Sequence, residues 1–226
     1  MDKTCINTKT YSGYLDQHDF IARYLFIRNR INNSFTRDEL AFLLGKTPYF
    51  IIDYEELSGS TKLGLSELDI LCRILKRGSY ETLVLDRTFG KIDISYEKRM
   101  IRVIQKEYTQ KLVYEFIHPW TSGGTSKSLK AEEPKYDFTD VERESKKLIK
   151  NEIARLIDAG FFTEKKTPLE IYERIWSTFR YCSDAWSAIF IKDIVYHFIR
   201  EGKLTHKYLN GHLSYQNNSK IPPVKM

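Results

Sequence analysis

The segment TRDELAFLLGKTPYFIIDYEEL, Thr36 to Leu57, constrains the fold more than any other part of the chain. Thr36 stands just before an apolar-periodic run and Glu39 lies three residues on. At that spacing a hydroxyl and a carboxylate can satisfy the orphan backbone N–H groups of a helix start. Ala41 is small enough for two helices to approach closely, and Gly45 can take the left-handed conformation that a Cβ resists. Thr47 is placed to cap a second helix, whose Ile51 must then drop an apolar side chain onto the first. The spacing predicts two short helices joined by a tight turn.

The surrounding texture sets this pair in a larger frame. From Asp19 to about Arg77 apolar residues recur at helical spacing, with Phe20, Tyr24 and Ile27, then Leu40, Leu43 and Leu44, then Leu68, Leu71, Cys72 and Leu75. Residues 1–79 are therefore expected to form a helical bundle. Residues 80–118 turn β-branched and aromatic in KIDISY, RMIRVIQKEY and KLVYEFIH, which predicts two or three strands with EYTQKL as a turn. The Gly-, Ser-, Lys- and Pro-rich stretch Thr121 to Asp137 reads as a linker, placed at 119–139. Residues 140–226 then carry three helices: one stopping at Gly160, one starting after Thr167-Pro168, and one from about Ser183 to Gly202. Asn210-Gly211, between two short alternating runs, is a hairpin signal. The expected fold class is mainly α with a small β segment (α+β).

Two resemblances follow from these patterns. The spacing Thr-x-x-Glu-Leu-Ala-x-x-Leu-Gly-x-Thr-x-x-x-Ile-x-x-x-Glu resembles the helix-turn-helix of the phage Cro and repressor class, the XRE family, over residues 19–78. That likeness implies a structural pair between Arg30, or Arg28 if the loop is shorter, and Glu55. It also implies DNA contacts from Lys46, Thr47, Tyr49, Phe50 and Asp53. The order helix, helix, helix, Asn-Gly hairpin over 146–216, with the EGKL step into the first hairpin strand, resembles a winged helix in layout. It implies a third helix that reads DNA through Ser183, Trp186, Ser187 and Lys192, and a hairpin whose Lys203, His206 and Lys207 lie along phosphates.

The first resemblance departs from its pattern in charge. From Thr47 to Leu57 there is no Lys, Arg, Asn or Gln, while Asp53, Glu55 and Glu56 are acidic. Base readout draws on Arg, Lys, Asn and Gln, and an acidic helix is repelled by phosphates. Tyr49, Phe50 and Tyr54 would suit a protein partner instead, since aromatic rings bring contact area. Residues 140–226 hold 15 basic and 11 acidic side chains, so +4 of the chain's net +6 lies there. Double-stranded DNA is accordingly the expected partner and a homodimer the expected state. The sequence-based reading is a DNA-binding transcriptional regulator, with a protein-interaction module on a degenerate helix-turn-helix as the alternative.

Other classes find less support. No Walker loop, dinucleotide glycine fingerprint, HExxH or GxSxG occurs, so no enzyme, cofactor or metal site is expected. Cys5, Cys72 and Cys182 stand far apart without CxxC, which points away from a disulfide framework or zinc ribbon. With no long apolar run and no apolar signal-peptide core, the expected location is the cytoplasm, with no membrane partner.

Overall fold

The computed structural model describes residues 4–58, 61–75, 95–120, 127–135, 137–179 and 187–218. Among them are seven helices, a four-stranded antiparallel sheet and a two-stranded sheet, so the chain is mixed α and β. No helix among the described residues is long and apolar enough to cross a membrane. Packing divides the chain into two units, one of Met1–Thr36 with Tyr49–Asp137 and one of Arg37–Pro48 with Phe138–Met226. The two short helices expected from the opening segment are both present, but they fall in different units.

In the first unit β1 (Asn7–Leu15) leads into α1 (Gln17–Asn32). Asp16 caps α1 by accepting from the Asp19 N–H at 2.8 Å. Two more helices of this unit, α3 (Tyr49–Glu55) and α4 (Leu65–Ile74), precede strands β2 (Arg99–Glu107), β3 (Lys111–His118) and β4 (Lys127–Pro134). The sheet runs β1-β2-β3-β4, antiparallel throughout. Side chains at two-residue spacing, Ile101 and Val103 on β2 and Tyr114, Phe116 and His118 on β3, form its buried face. Phe20 of α1 lies 4.8 Å from the His118 ring, and Tyr24 meets Phe116 edge-on at 5.3 Å.

Two of these strands were not expected. NTKTYSGYL carries too few apolar residues to announce a strand, yet its backbone pairs with β2 along its whole length, from Asn7 opposite Glu107 to Leu15 opposite Arg99. As an edge strand it needs only one apolar flank. The second correction concerns the linker: Lys127–Pro134 is strand β4, paired with β3 from Lys111 opposite Pro134 to His118 opposite Lys127. Its polarity misleads because backbone hydrogen bonds, the buried Ala131 and the anchored carboxylate of Glu133 hold it, in place of an apolar stripe. Most of KIDISY, Lys91 to Ile94, and the Gly-rich part of the expected linker, residues 121–126, lie outside the described residues.

The second unit contains α2 (Arg37–Leu43) and then α5 (Asp140–Asp158), α6 (Pro168–Phe179), α7 (Ala188–Arg200), β5 (Leu204–Leu209) and β6 (His212–Asn217). Local signals set these bounds. Thr139 with Glu142 makes a capping box for α5, and Thr167 with Glu170 does the same for α6 ahead of Pro168. The α5 helix ends before Gly160 at φ 77°. Between β5 and β6, Asn210 at φ 51° and Gly211 at φ 79° both take the left-handed conformation, as a type I′ turn requires. Lys166, just before α6, makes a one-residue antiparallel bridge to the hairpin by exchanging two 2.8 Å backbone bonds with Tyr215. Ile153, Phe162, Ile171, Ile175, Ile191 and Val195 are wholly buried in the core.

Candidate nucleic-acid interface

Helix α7 is built from two faces. Phe190, Ile191, Ile194, Val195 and Phe198 are buried, whereas Lys192, Asp193, Tyr196 and His197 are half-buried and Arg200 is exposed. Its N-terminus is held by α2. The Glu39 carboxylate accepts from the Ser187 hydroxyl and, at 3.1 Å, from the Ile189 N–H. An anion at the first turn answers both the orphan donors and the positive end of the helix dipole. Beside it, Asp38 pairs with Lys192 at 3.1 Å.

The same segment meets the hairpin. Gly45, at φ 65°, accepts from the Leu213 N–H at 2.7 Å, and Leu44 O lies 2.8 Å from His212 Nδ1. A Cβ on Gly45 would stand 3.0 Å from Leu213 N and 3.1 Å from its carbonyl oxygen, so glycine is required by space as well as by φ. Lys46 Nζ donates to Gly211 O at 2.7 Å, on the turn itself. Phe42 packs on Tyr215, ring centroids 6.2 Å apart. Arg37–Pro48 thus engages both elements by which the sequence expected this unit to touch DNA.

The remaining expected contacts divide by unit. On the hairpin side, Lys203, His206 and Lys207 are exposed, with Lys203 3.0 Å from Glu201 and 5.2 Å from the Phe198 ring. Ser183 and Trp186 lie outside the described residues. Thr47 is exposed. In the first unit Tyr49 is 69% exposed, and Phe50 and Asp53 are half-buried. Tyr54 does not join an exposed aromatic patch: it is buried, edge-on to Phe26 at 5.2 Å with the Arg23 guanidinium 4.2 Å above its ring. It is three residues on from Ile51 and next to Glu55, and all three lie on the buried side of α3. Burial pushes its phenol well above the ordinary range despite the nearby Arg23.

Arg30 and Glu55 are brought together. Arg30 Nε is 2.6 Å from Glu55 Oε1 and Nη2 is 3.1 Å from Oε2. A second carboxylate completes the site, with Glu133 of β4 at 2.6 Å from Nη1 and 2.9 Å from Nη2, and Nη1 also donates to Phe35 O at 2.9 Å. All five guanidinium N–H groups are thereby used. Burial works against the charge, yet the two carboxylates outweigh it and raise the Arg30 pKa.

A group of cations escaped the sequence reading. Arg143, Lys146, Lys147 and Lys150 recur on α5 at i, i+3, i+4 and i+7, one helical face, and with Lys192 and Arg200 of α7 they line a groove of about 940 Å³. Asp193 is the one acid in its lining, 2.8 Å from Lys146. The spacing is legible in the sequence, but charge counted over the whole of residues 140–226 averages out a face.

No known protein family, curated protein or solved structure matches this chain.

Proposed function

We propose that the chain is a DNA-binding regulator of transcription that holds duplex DNA through its second unit. The observation that carries this reading is the succession α5, α6, α7 and a type I′ hairpin, closed by the Lys166–Tyr215 bridge. That is the order the winged-helix resemblance leads one to expect, on the third of the chain that holds most of its net positive charge. Phosphate binding scales with the cations that can be brought to the duplex, and exposed Lys203, Lys207 and Arg200 supply them.

The first unit supports a different use of its helices. Helix α3 carries no cation and turns Tyr54 and Glu55 inward, which leaves Tyr49 as its one fully exposed aromatic. An acidic, seven-residue helix with one free aromatic suits a protein contact better than a base contact. Pairing of two copies is proposed for the same unit, whose sheet ends in strands β1 and β4 and so offers edges for strand addition.

The test is selection of bound fragments from a random duplex pool by the full chain, followed by titration of the recovered sequence against salt. A recovered motif whose affinity falls steeply with salt supports the regulator. If no duplex binds more tightly than about 100 µM at physiological salt, the non-specific range, the reading fails and the protein-interaction alternative replaces it. Light scattering at micromolar concentration tests pairing: a monomer mass removes it.

A further inference from the structure

We infer that the groove between α5 and α7 is a phosphate-binding site, built to take the backbone of an extended polyanion. This deepens the DNA-binding reading and rests on it for the identity of the ligand. The first ground is occupancy elsewhere. The α7 N-terminus already holds Glu39, Lys192 already holds Asp38, and the hairpin turn already holds Lys46. An incoming phosphate finds the usual anion position at the start of α7 taken by a carboxylate of the same unit.

The second ground is the lining. Six cations face one Asp across about 940 Å³. Lys150 and Arg200 are exposed and have no carboxylate at ion-pair distance among the described residues. Of the remaining four, Lys146 is paired with Asp193 and Lys192 with Asp38. Arg143 meets Asp140 at 3.2 Å and Lys147 meets Glu144 at 2.8 Å, but those acids are 97% and 69% exposed. Pairs so exposed to water contribute little and exchange readily. Glu201, outside this lining, lies 2.9 Å from His197, and Lys203 chiefly, with His197 and Lys150, holds its carboxyl below the usual range.

The third ground is shape. From Arg143 to Lys150 the α5 face extends roughly 10 Å at 1.5 Å per residue. That is the axial span of about three phosphates of one DNA strand. Sites for compact ligands carry only a few polar side chains, whereas here six of the eleven lining residues are cations, their aliphatic stems forming much of the wall. A string of phosphates satisfies such a lining where a single small anion leaves most of it unmatched.

The experiment uses the full chain, a triple variant Lys147→Ala, Lys150→Ala, Arg200→Ala, and the hairpin variant Lys203→Ala, Lys207→Ala. The three groove residues are exposed, so unchanged thermal melting is the expected control. Binding of a labelled random-sequence duplex is followed between about 50 and 200 mM salt, with the slope of log affinity against log salt as the readout. The groove variant should lose about two to three units of slope, roughly 0.9 for each phosphate contact removed. Inorganic tripolyphosphate, scored by its shift of the melting temperature, separates nucleic acid from phosphate in general.

Four outcomes are distinct. Loss of duplex slope in the groove variant supports the site. Duplex binding that is unchanged there, or lost only in the hairpin variant, overturns the groove while leaving the regulator reading intact. Tripolyphosphate binding through the groove without duplex binding keeps the site and removes DNA as its ligand. Binding of neither anion by the unaltered chain overturns both.

Discussion

Replacing Arg30 with methionine should unfasten the first unit while leaving the second in place. The Arg30 side chain is 0% exposed and Glu55 is 1% exposed, so the substitution leaves a carboxylate out of reach of water and without its cation. Glu133, at 16%, keeps some solvent and the Tyr114 hydroxyl, which donates to it at 2.6 Å. Removing one partner of a buried pair costs about 3–5 kcal/mol, because the other charge is left uncompensated. At 1.4 kcal/mol per factor of ten this is two to nearly four orders of magnitude in the opening equilibrium, roughly. Hydrogen exchange read by peptide gives the unit-by-unit answer that a single melting curve would blur. Amides of α1, β3 and β4 should exchange faster by that factor, while those of α5 and α7 keep their protection. The companion variant Arg30→Met with Glu55→Leu removes the buried charge together with its partner and should recover part of the loss. If Arg30→Met exchanges at the rate of the unaltered chain, or if the double change is no better than the single, an unpaired charge is not what the guanidinium prevents.

Three further outcomes follow from the same geometry. Gly45→Ala forces a Cβ against the Leu213 backbone at φ 65° and should cost about 1–3 kcal/mol in the second unit, measured by urea unfolding. Tyr54→Ala should destabilise the first unit by about 3–5 kcal/mol, as large aromatic truncations in cores do, whereas Tyr49→Ala should stay within about 0.5 kcal/mol by the same measurement. Tyr172 is pushed up to about 12 by burial and by Glu39. A raised phenol pKa means its contribution to stability is intact below the ordinary value of 10 and is lost as pH climbs from there through 12. Glu39→Gln should therefore lower the Tyr172 midpoint in an absorbance titration of the tyrosinates, and a midpoint that does not move would place the cause in burial alone.

Much of the second unit was legible because its signals are local. Thr167 and Glu170 cap α6, Gly160 ends the α5 region, and Asn210-Gly211 fixes the hairpin, each within a few residues of the structure it specifies. The first unit depended on distant pairings that leave weak local traces. Strand β4 reads as linker because KSLKAEEP lacks alternation, and what holds it is a neighbour more than a dozen residues away together with Arg30, 103 residues away. The carboxylate of Glu133 looks from the sequence like any solvated acid. Strand β1 is invisible for a similar reason, since an edge strand with one covered flank needs few apolar side chains.

The candidate site shows a subtler limit, and it turns on α2. The capping-box spacing of Thr36 and Glu39 correctly marks the start of a short helix, but a local pattern carries no information about which core that helix joins. Glu39 then serves a different helix, α7, at a separation of 150 residues. Asp38 and Lys46 follow it onto the side chain of Lys192 and the carbonyl of Gly211. In consequence, residues expected to face phosphates, Lys46, Ser187 and Lys192, spend their hydrogen bonds within the unit. On the groove between α5 and α7, Lys150 and Arg200 have no carboxylate at ion-pair distance among the described residues. The spacing thus specifies two helices and a turn through backbone chemistry, and for α3 it also placed Glu55 against Arg30, whereas the long-range pairs of α2, Glu39 with the start of α7 and Asp38 with Lys192, leave no local trace.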